Sequence, residues 1–207
     1  EEGAALEKQV ADACRAKGVR MLGPKCVGLI NTESRMNASF APQMPEAGQI
    51  SVISQSGALC TSILDWALGR HLGLAKLISL GNKADLDEIA FFKALADDPQ
   101  TKVIVGYLES IESGDEFVRA AEAVASKKPV VILKAGTSVA GGRAASSHTG
   151  SLAGADIAYS AAFSRAGIIR ATAFEELLDD AKALSMQPLP RGDRVAIITN
   201  AGGPGIM

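Results

Sequence analysis

From residue 49 onward the apolar positions follow two alternating rhythms. Short, nearly continuous apolar runs occupy 50–54, 76–80, 102–108, 129–134 and 168–170. Between and after them lie 57–68, 87–96, 115–126, 154–166 and 174–186, where apolar residues return every three or four positions. The segment 57–68 shows this well, with Leu59, Ile63, Leu64 and Ala67 on one helical face. A strand that is apolar at every position has no side to give to water. Runs of this kind alternating with helices predict an α/β fold, a doubly wound parallel sheet covered on both faces. In such sheets ligands gather at the carboxyl ends of the strands. Each glycine-rich loop that follows a strand therefore opens on that edge.

The flanks are less regular. A short amphipathic helix is expected over 6–16, ending before Gly18, with a short strand over 19–22 and a loop over 23–28. Residues 31–47, with Asn31, Asn37, Pro42 and Pro45, lack periodicity and read as a connecting segment. After a linker at 189–193, a strand over 194–200 opens a further unit with its own glycine-rich turn. Both ends thus look like parts of neighbouring α/β units, and the chain like a fragment of a longer polypeptide.

Composition narrows the class. At 207 residues the chain can hold one full domain with a sizeable core and pieces of others. The net charge of -2 lacks the basic surplus of a nucleic-acid binder. No apolar run approaches the roughly 20 residues that span a bilayer, and the acidic N-terminus is unlike a signal peptide. Cys14, Cys26 and Cys60 are odd in number and form no C-x-x-C, which fits a reducing cytoplasm and argues against a disulfide framework or zinc site.

Four loops carry candidate chemistry. His148, one of two histidines, lies in the small-residue stretch Gly-Gly-Arg-Ala-Ala-Ser-Ser-His-Thr-Gly-Ser at 141–151. It is either a surface-loop histidine beside a helix start or an accessible nucleophile. Ser54, Ser56 and Gly57 form a strand-to-helix turn whose free N–H groups and dipole suit an anion, unless Ser56 is only an N-cap. Glu109 ends a buried strand, where a carboxylate could hold one imidazole nitrogen as N–H and free the other to attack; it could also be an ordinary capping residue. The loop 81–85 offers amides and the Asn82 carboxamide to a carboxyl or phosphoryl group, or simply leads into a helix. Cys26 carries no thiol-enzyme signature, and His71 reads as a residue at a helix C-terminus. Neither G-x-G-x-x-G nor G-x-x-x-x-G-K-[ST] is present.

Five stretches in order carry a family likeness: Gly-Pro-Lys-Cys-Val-Gly (23–28), Ile-Ser-Gln-Ser-Gly-Ala-Leu (53–59), Ser-Leu-Gly-Asn-Lys-Ala-Asp (79–85), Tyr-Leu-Glu (107–109) and Ser-Ser-His-Thr-Gly-Ser-Leu-Ala-Gly (146–154). Together they closely resemble the nucleoside-diphosphate-forming acyl-CoA synthetases, which include ADP-forming acetyl-CoA synthetases and the succinyl-CoA synthetase α subunit. The resemblance implies that 1–30 ends a CoA-binding Rossmann-like domain and 31–47 connects it onward. It makes 48–188 a flavodoxin-like phosphohistidine domain, and 189–207 a linker with the first strand of a second flavodoxin-like domain.

The same resemblance assigns roles. His148 is the phosphorylated residue and Glu109 the carboxylate that orients it. Ser54, Ser56 and Gly57 bind the phosphoryl group. Pro24, Lys25 and Cys26 line the CoA site, with Lys25 standing where the family motif usually has Asn. The implied reactants are CoA, an acyl-CoA or its carboxylic acid, and phosphate. ATP or ADP and Mg2+ would be held mainly by an ATP-grasp domain or β subunit absent from this chain, and a homo-oligomer is compatible. One rival reading is a regulatory CoA-binding region fused to a protein N-acetyltransferase, in which the loop histidine is typically replaced. Another is a passive CoA- or phosphate-binding module. Both rivals predict no phosphoryl transfer.

Overall fold

The computed structural model describes residues 2–137 and 156–203. In chain order these form α1 (Glu2–Ala16), β1 (Gly28–Asn31), β2 (Met36–Ser39), β3 (Ala47–Ser54), α2 (Gly57–Gly69), β4 (Leu74–Ser79) and α3 (Glu88–Ala96). They continue with β5 (Val103–Leu108), α4 (Gly114–Ala125), β6 (Val130–Lys134), α5 (Asp156–Ala166), β7 (Ile169–Ala171) and α6 (Phe174–Met186). Among the described residues the strands make one sheet in the order β2-β1-β4-β3-β5-β6-β7. The stretch β4-β3-β5-β6-β7 is parallel throughout, which is the strand order of flavodoxin-like sheets. The α/β fold expected from the apolar rhythm is therefore present.

Alternation along each strand divides the core in two. Ile53, Ile78, Ile104 and Ile132 face α3, α4 and α5, where Phe92, Phe117 and Phe163 pack with them. Those rings stand 5.6 Å (Phe92–Phe117) and 5.8 Å (Phe117–Phe163) apart, coupling the three helices. Val52, Leu77, Val105 and Val131 face the other way, against Ile63 and Leu64 of α2 and Leu177 and Leu178 of α6. Each such side chain removed from water stabilises the fold by about 1.5–3 kcal/mol. This rigid two-sided core fixes the strand ends, and with them the loops at the carboxyl edge.

Three expectations need correction. Residues 19–22 form no strand; Met21 N–H donates to Asp85 Oδ2 at 2.8 Å and Met21 C=O accepts from Leu86 N–H at 3.1 Å. A loop, not a ladder, satisfies that backbone. Residues 31–47 are more than a connection, because β1 and β2 pair antiparallel and β1 adds to the edge of β4. These four-residue strands hide from periodicity because only Ile30 is fully buried in them. The third correction concerns 194–200, which forms no strand: Val195, Ile197 and Ile198 are 86%, 69% and 97% exposed. Apolar character marks a strand, but only a partner can complete its hydrogen bonds.

Candidate functional site

At the end of β3 the buried Ser54 hydroxyl accepts from Ser56 N–H at 3.1 Å and donates to Ser56 C=O at 2.9 Å. Ser54 thus shapes the turn from inside. Ser56 is the N-cap of α2, accepting from Leu59 N–H at 3.3 Å. The helix end keeps its positive character, since its first turn contains no acidic residue. A Cβ on Gly57 would come within 2.9 Å of Val27 Cγ2, so the close fit of helix and loop depends on glycine.

The loop after β4 is tied to the 23–27 segment. Gly81 has φ +60°, and a Cβ there would lie 2.2 Å from Pro24 O. Asn82 N–H donates to the same Pro24 oxygen at 2.9 Å, Ala84 N–H to Gly23 O at 3.0 Å, and Val27 N–H to Ser79 Oγ at 3.0 Å. Pro24 therefore acts through its backbone, while Lys25 projects to the surface of the neighbouring cleft. Cys26 is half-buried, its thiol directed at Leu22 O at 3.6 Å. The Asn82 carboxamide donates to Glu7 Oε2 of α1 at 2.6 Å.

At the end of β5 one residue from the β3 turn takes hold of the chain. Gln55 Oε1 accepts from both Glu109 N–H (2.6 Å) and Ser110 N–H (3.0 Å). The carbonyls of the same two residues accept from buried lysines, Glu109 O from Lys134 Nζ at 2.8 Å and Ser110 O from Lys83 Nζ at 2.9 Å.

These loops enclose a cleft of about 280 Å³ lined by Lys25, Ser56, Gly57, Gly81, Asn82 and Glu109. The structure thus brings together five residues singled out from sequence and places Ser54, Pro24 and Cys26 behind the wall. A helix N-terminus and a lysine on one side face a carboxylate on another. An anion fits between them, with Glu109 able to orient a proton-bearing group. β6 ends on this same edge at Lys134, but His148 itself lies outside the described residues. Another cleft of about 320 Å³ is lined by Pro42, Thr61 and Asp65. Burial pushes the Cys60 thiol up to about 11, so it stays protonated and inert. His71 sits just past α2, at the other edge of the sheet, bonded to Glu46 at 2.9 Å.

Sequence reasoning missed Gln55, Lys83 and Lys134. The last left a signal: a lysine closing the run Val-Val-Ile-Leu must find buried partners.

Residues 47–184 match the family described as the succinyl-CoA ligase like flavodoxin domain. The chain belongs to this family. Its relatives include an ADP-forming acetate–CoA ligase I of Archaeoglobus fulgidus, 48% identical over 100% of this chain and 30% of the relative. The α subunit of the corresponding ligase I of Pyrococcus furiosus is 44% identical over 100% of this chain and 45% of the relative. Among solved structures, a dinucleotide-forming acetyl-coenzyme A synthetase 1 of Ca. Korarchaeum cryptofilum, in complex with phosphate and ADP, superposes with a TM-score of 0.92. It is 39% identical, and the match covers 98% of this chain and 44% of that one. The succinyl-CoA ligase like chain described here thus spans less than half the length of these relatives.

Proposed function

We propose that this chain is the phosphohistidine-bearing part of an ADP-forming acyl-CoA synthetase. The observation that carries the reading is the single cleft in which the α2 N-terminus, Lys25, Asn82 and Glu109 meet, at the edge from which β6 leads toward His148. In the ATP-forming direction a phosphate oxygen attacks the acyl-CoA carbonyl carbon, the C–S bond breaks, and CoA leaves as a thiolate that takes up a proton. The neutral His148 imidazole then attacks phosphorus, the P–O bond to the acyl group breaks, and the carboxylate departs. ADP finally accepts the phosphoryl group from His148.

Each step draws on the geometry. The helix N-terminus with Ser56 and Gly57 favours the phosphoryl charge, and Lys25 adds a cation beside it. Glu109 holds the imidazole in the tautomer that leaves one nitrogen free. CoA would lie along the 23–28 segment, where Lys25 reaches the cleft and Pro24 and Cys26 support it from behind. Mg2+ would supply charge neutralisation to the nucleotide phosphates. Nucleotide and metal are held, in this reading, mainly by an ATP-grasp domain or partner subunit. In this reading 1–30 closes a CoA-binding domain, 48–188 carries phosphohistidine, 189–207 leads onward, and the enzyme works in the cytoplasm. No helix among the described residues is long and apolar enough to cross a membrane.

The full-length protein incubated with labelled ATP and Mg2+ should acquire acid-labile, base-stable phosphate, absent from H148A and formed more slowly in E109Q with CoA affinity nearly unchanged. Unlabelled wild type, or equal labelling of H148A, would sink the assignment.

A further inference from the structure

The two peptide units at Glu109 and Ser110 have all four backbone polar groups held by side chains. Gln55 takes both N–H groups, Lys134 the first carbonyl and Lys83 the second. We propose that Lys83 and Lys134 are positioning residues that clamp the Glu109 backbone and set positive charge behind its carboxylate for phosphoryl transfer. This inference rests on the function proposed above.

Burial gives the clamp its force. A buried ammonium is costly unless its donors are satisfied, and its bonds to carbonyls are charge-assisted. The Lys83 side chain is 3% exposed and paired at 3.1 Å with Glu88, itself 2% exposed, so this pair adds little net charge. Lys134 is 5% exposed, and among the described residues its hydrogen bonds go to the carbonyls of Glu109 and Ala135. Its ammonium also lies 4.4 Å from the centre of the Tyr159 ring, a favourable place for a cation. Lys134 thus brings a positive charge to the point where the β5 and β6 ends meet, within the field of the Glu109 and Asp156 carboxylates. A phosphoryl group entering the cleft would add negative charge beside the Glu109 carboxylate. The cation behind that carboxylate offsets the repulsion, and the clamped backbone keeps its side chain from turning away.

A double-mutant cycle on the full-length protein separates positioning from simple structural support. Phosphoenzyme formation from labelled ATP and Mg2+ would be timed in wild type, K134M, E109Q and the double variant, with KM for CoA measured in parallel. We expect K134M to slow phosphorylation about ten-fold or more and leave KM for CoA within about two-fold, while costing less than about two-fold in the E109Q background. A wild-type rate in K134M, or the same loss with and without E109Q, overturns the proposal. K134Q keeps two N–H donors but no charge, and it runs the same cycle if K134M does not fold. If neither folds, by circular dichroism, the lysine serves folding and the proposal fails. A wild type that takes up no label instead removes the phosphoryl-transfer reading beneath it.

Discussion

Toward the amino edge of the sheet, Lys76 bonds Asp98 at 2.7 Å, Thr101 donates to the same carboxylate, and the Ser51 and Thr101 hydroxyls meet at 2.7 Å. Lys128 nearby reaches the carbonyls of Leu95 and Asp98. At the carboxyl edge Lys83, Lys134 and Gln55 likewise end on groups of their own protein, but they surround an open cleft. Buried lysines alone therefore do not mark a site. What separates the two regions is the space left at the carboxyl edge. It is walled by a helix N-terminus with no acidic residue in its first turn and by Glu109, whose backbone is held by side chains.

The largest expected effect pits one edge against the other. K83M strands Glu88 in the core and should cost about 3–5 kcal/mol in urea unfolding, because breaking a buried pair leaves one charge alone. The double variant K83M/E88L should regain most of that stability while phosphorylating slowly. K76M breaks a less buried pair and should cost about 1–3 kcal/mol without altering the phosphorylation rate. Slowed phosphorylation in K76M, or full recovery in K83M/E88L, would erase the contrast between the edges.

Ser56→Ala sharpens the contrast at the helix end. It should lower stability by about 1 kcal/mol through loss of the cap, raise KM for phosphate several-fold, and leave KM for CoA unchanged. An unaltered KM for phosphate would show that the helix start only caps.

The smallest effect concerns the brace beneath the cleft. Asp85 accepts from Arg20 Nε at 2.9 Å and from Met21 N–H at 2.8 Å, and these bonds hold its carboxyl below the usual range. Its pKa is thus lower folded than unfolded. The stabilisation is present above the unfolded value and fades as pH falls through the folded one. D85N should be about 1 kcal/mol less stable than wild type at pH 7, and the gap should close below about pH 4. A constant gap across that range would remove the carboxylate from the brace.

The parallel core was legible because Val103 to Leu108 and Val130 to Leu133 are apolar at nearly every position, a pattern few other environments tolerate. β1 and β2 escaped because pairing at a sheet edge asks little of Asn37 or Ser39. The run containing Val195, Ile197 and Ile198 looks like a strand but forms none, and these three residues are exposed. At the site, the loops after β3, β4 and β5 converge on one cleft, since parallel topology sends those strand ends to one edge. Direction was not readable: Ser54 and Ser56 are two residues apart, yet one hydroxyl turns into the core and the other caps the helix. The roles of Gln55, Lys83 and Lys134 depend on partners 25 to 55 positions away in sequence, beyond any local motif.

The most direct test approaches the cleft from the acyl side. Full-length protein would be incubated with an acyl-CoA and labelled phosphate, without nucleotide, and the labelled peptide mapped. Label on the peptide containing His148, lost in H148A, is the predicted result. Label on another residue, or acyl-CoA-dependent ATP synthesis that continues in H148A, would contradict the account.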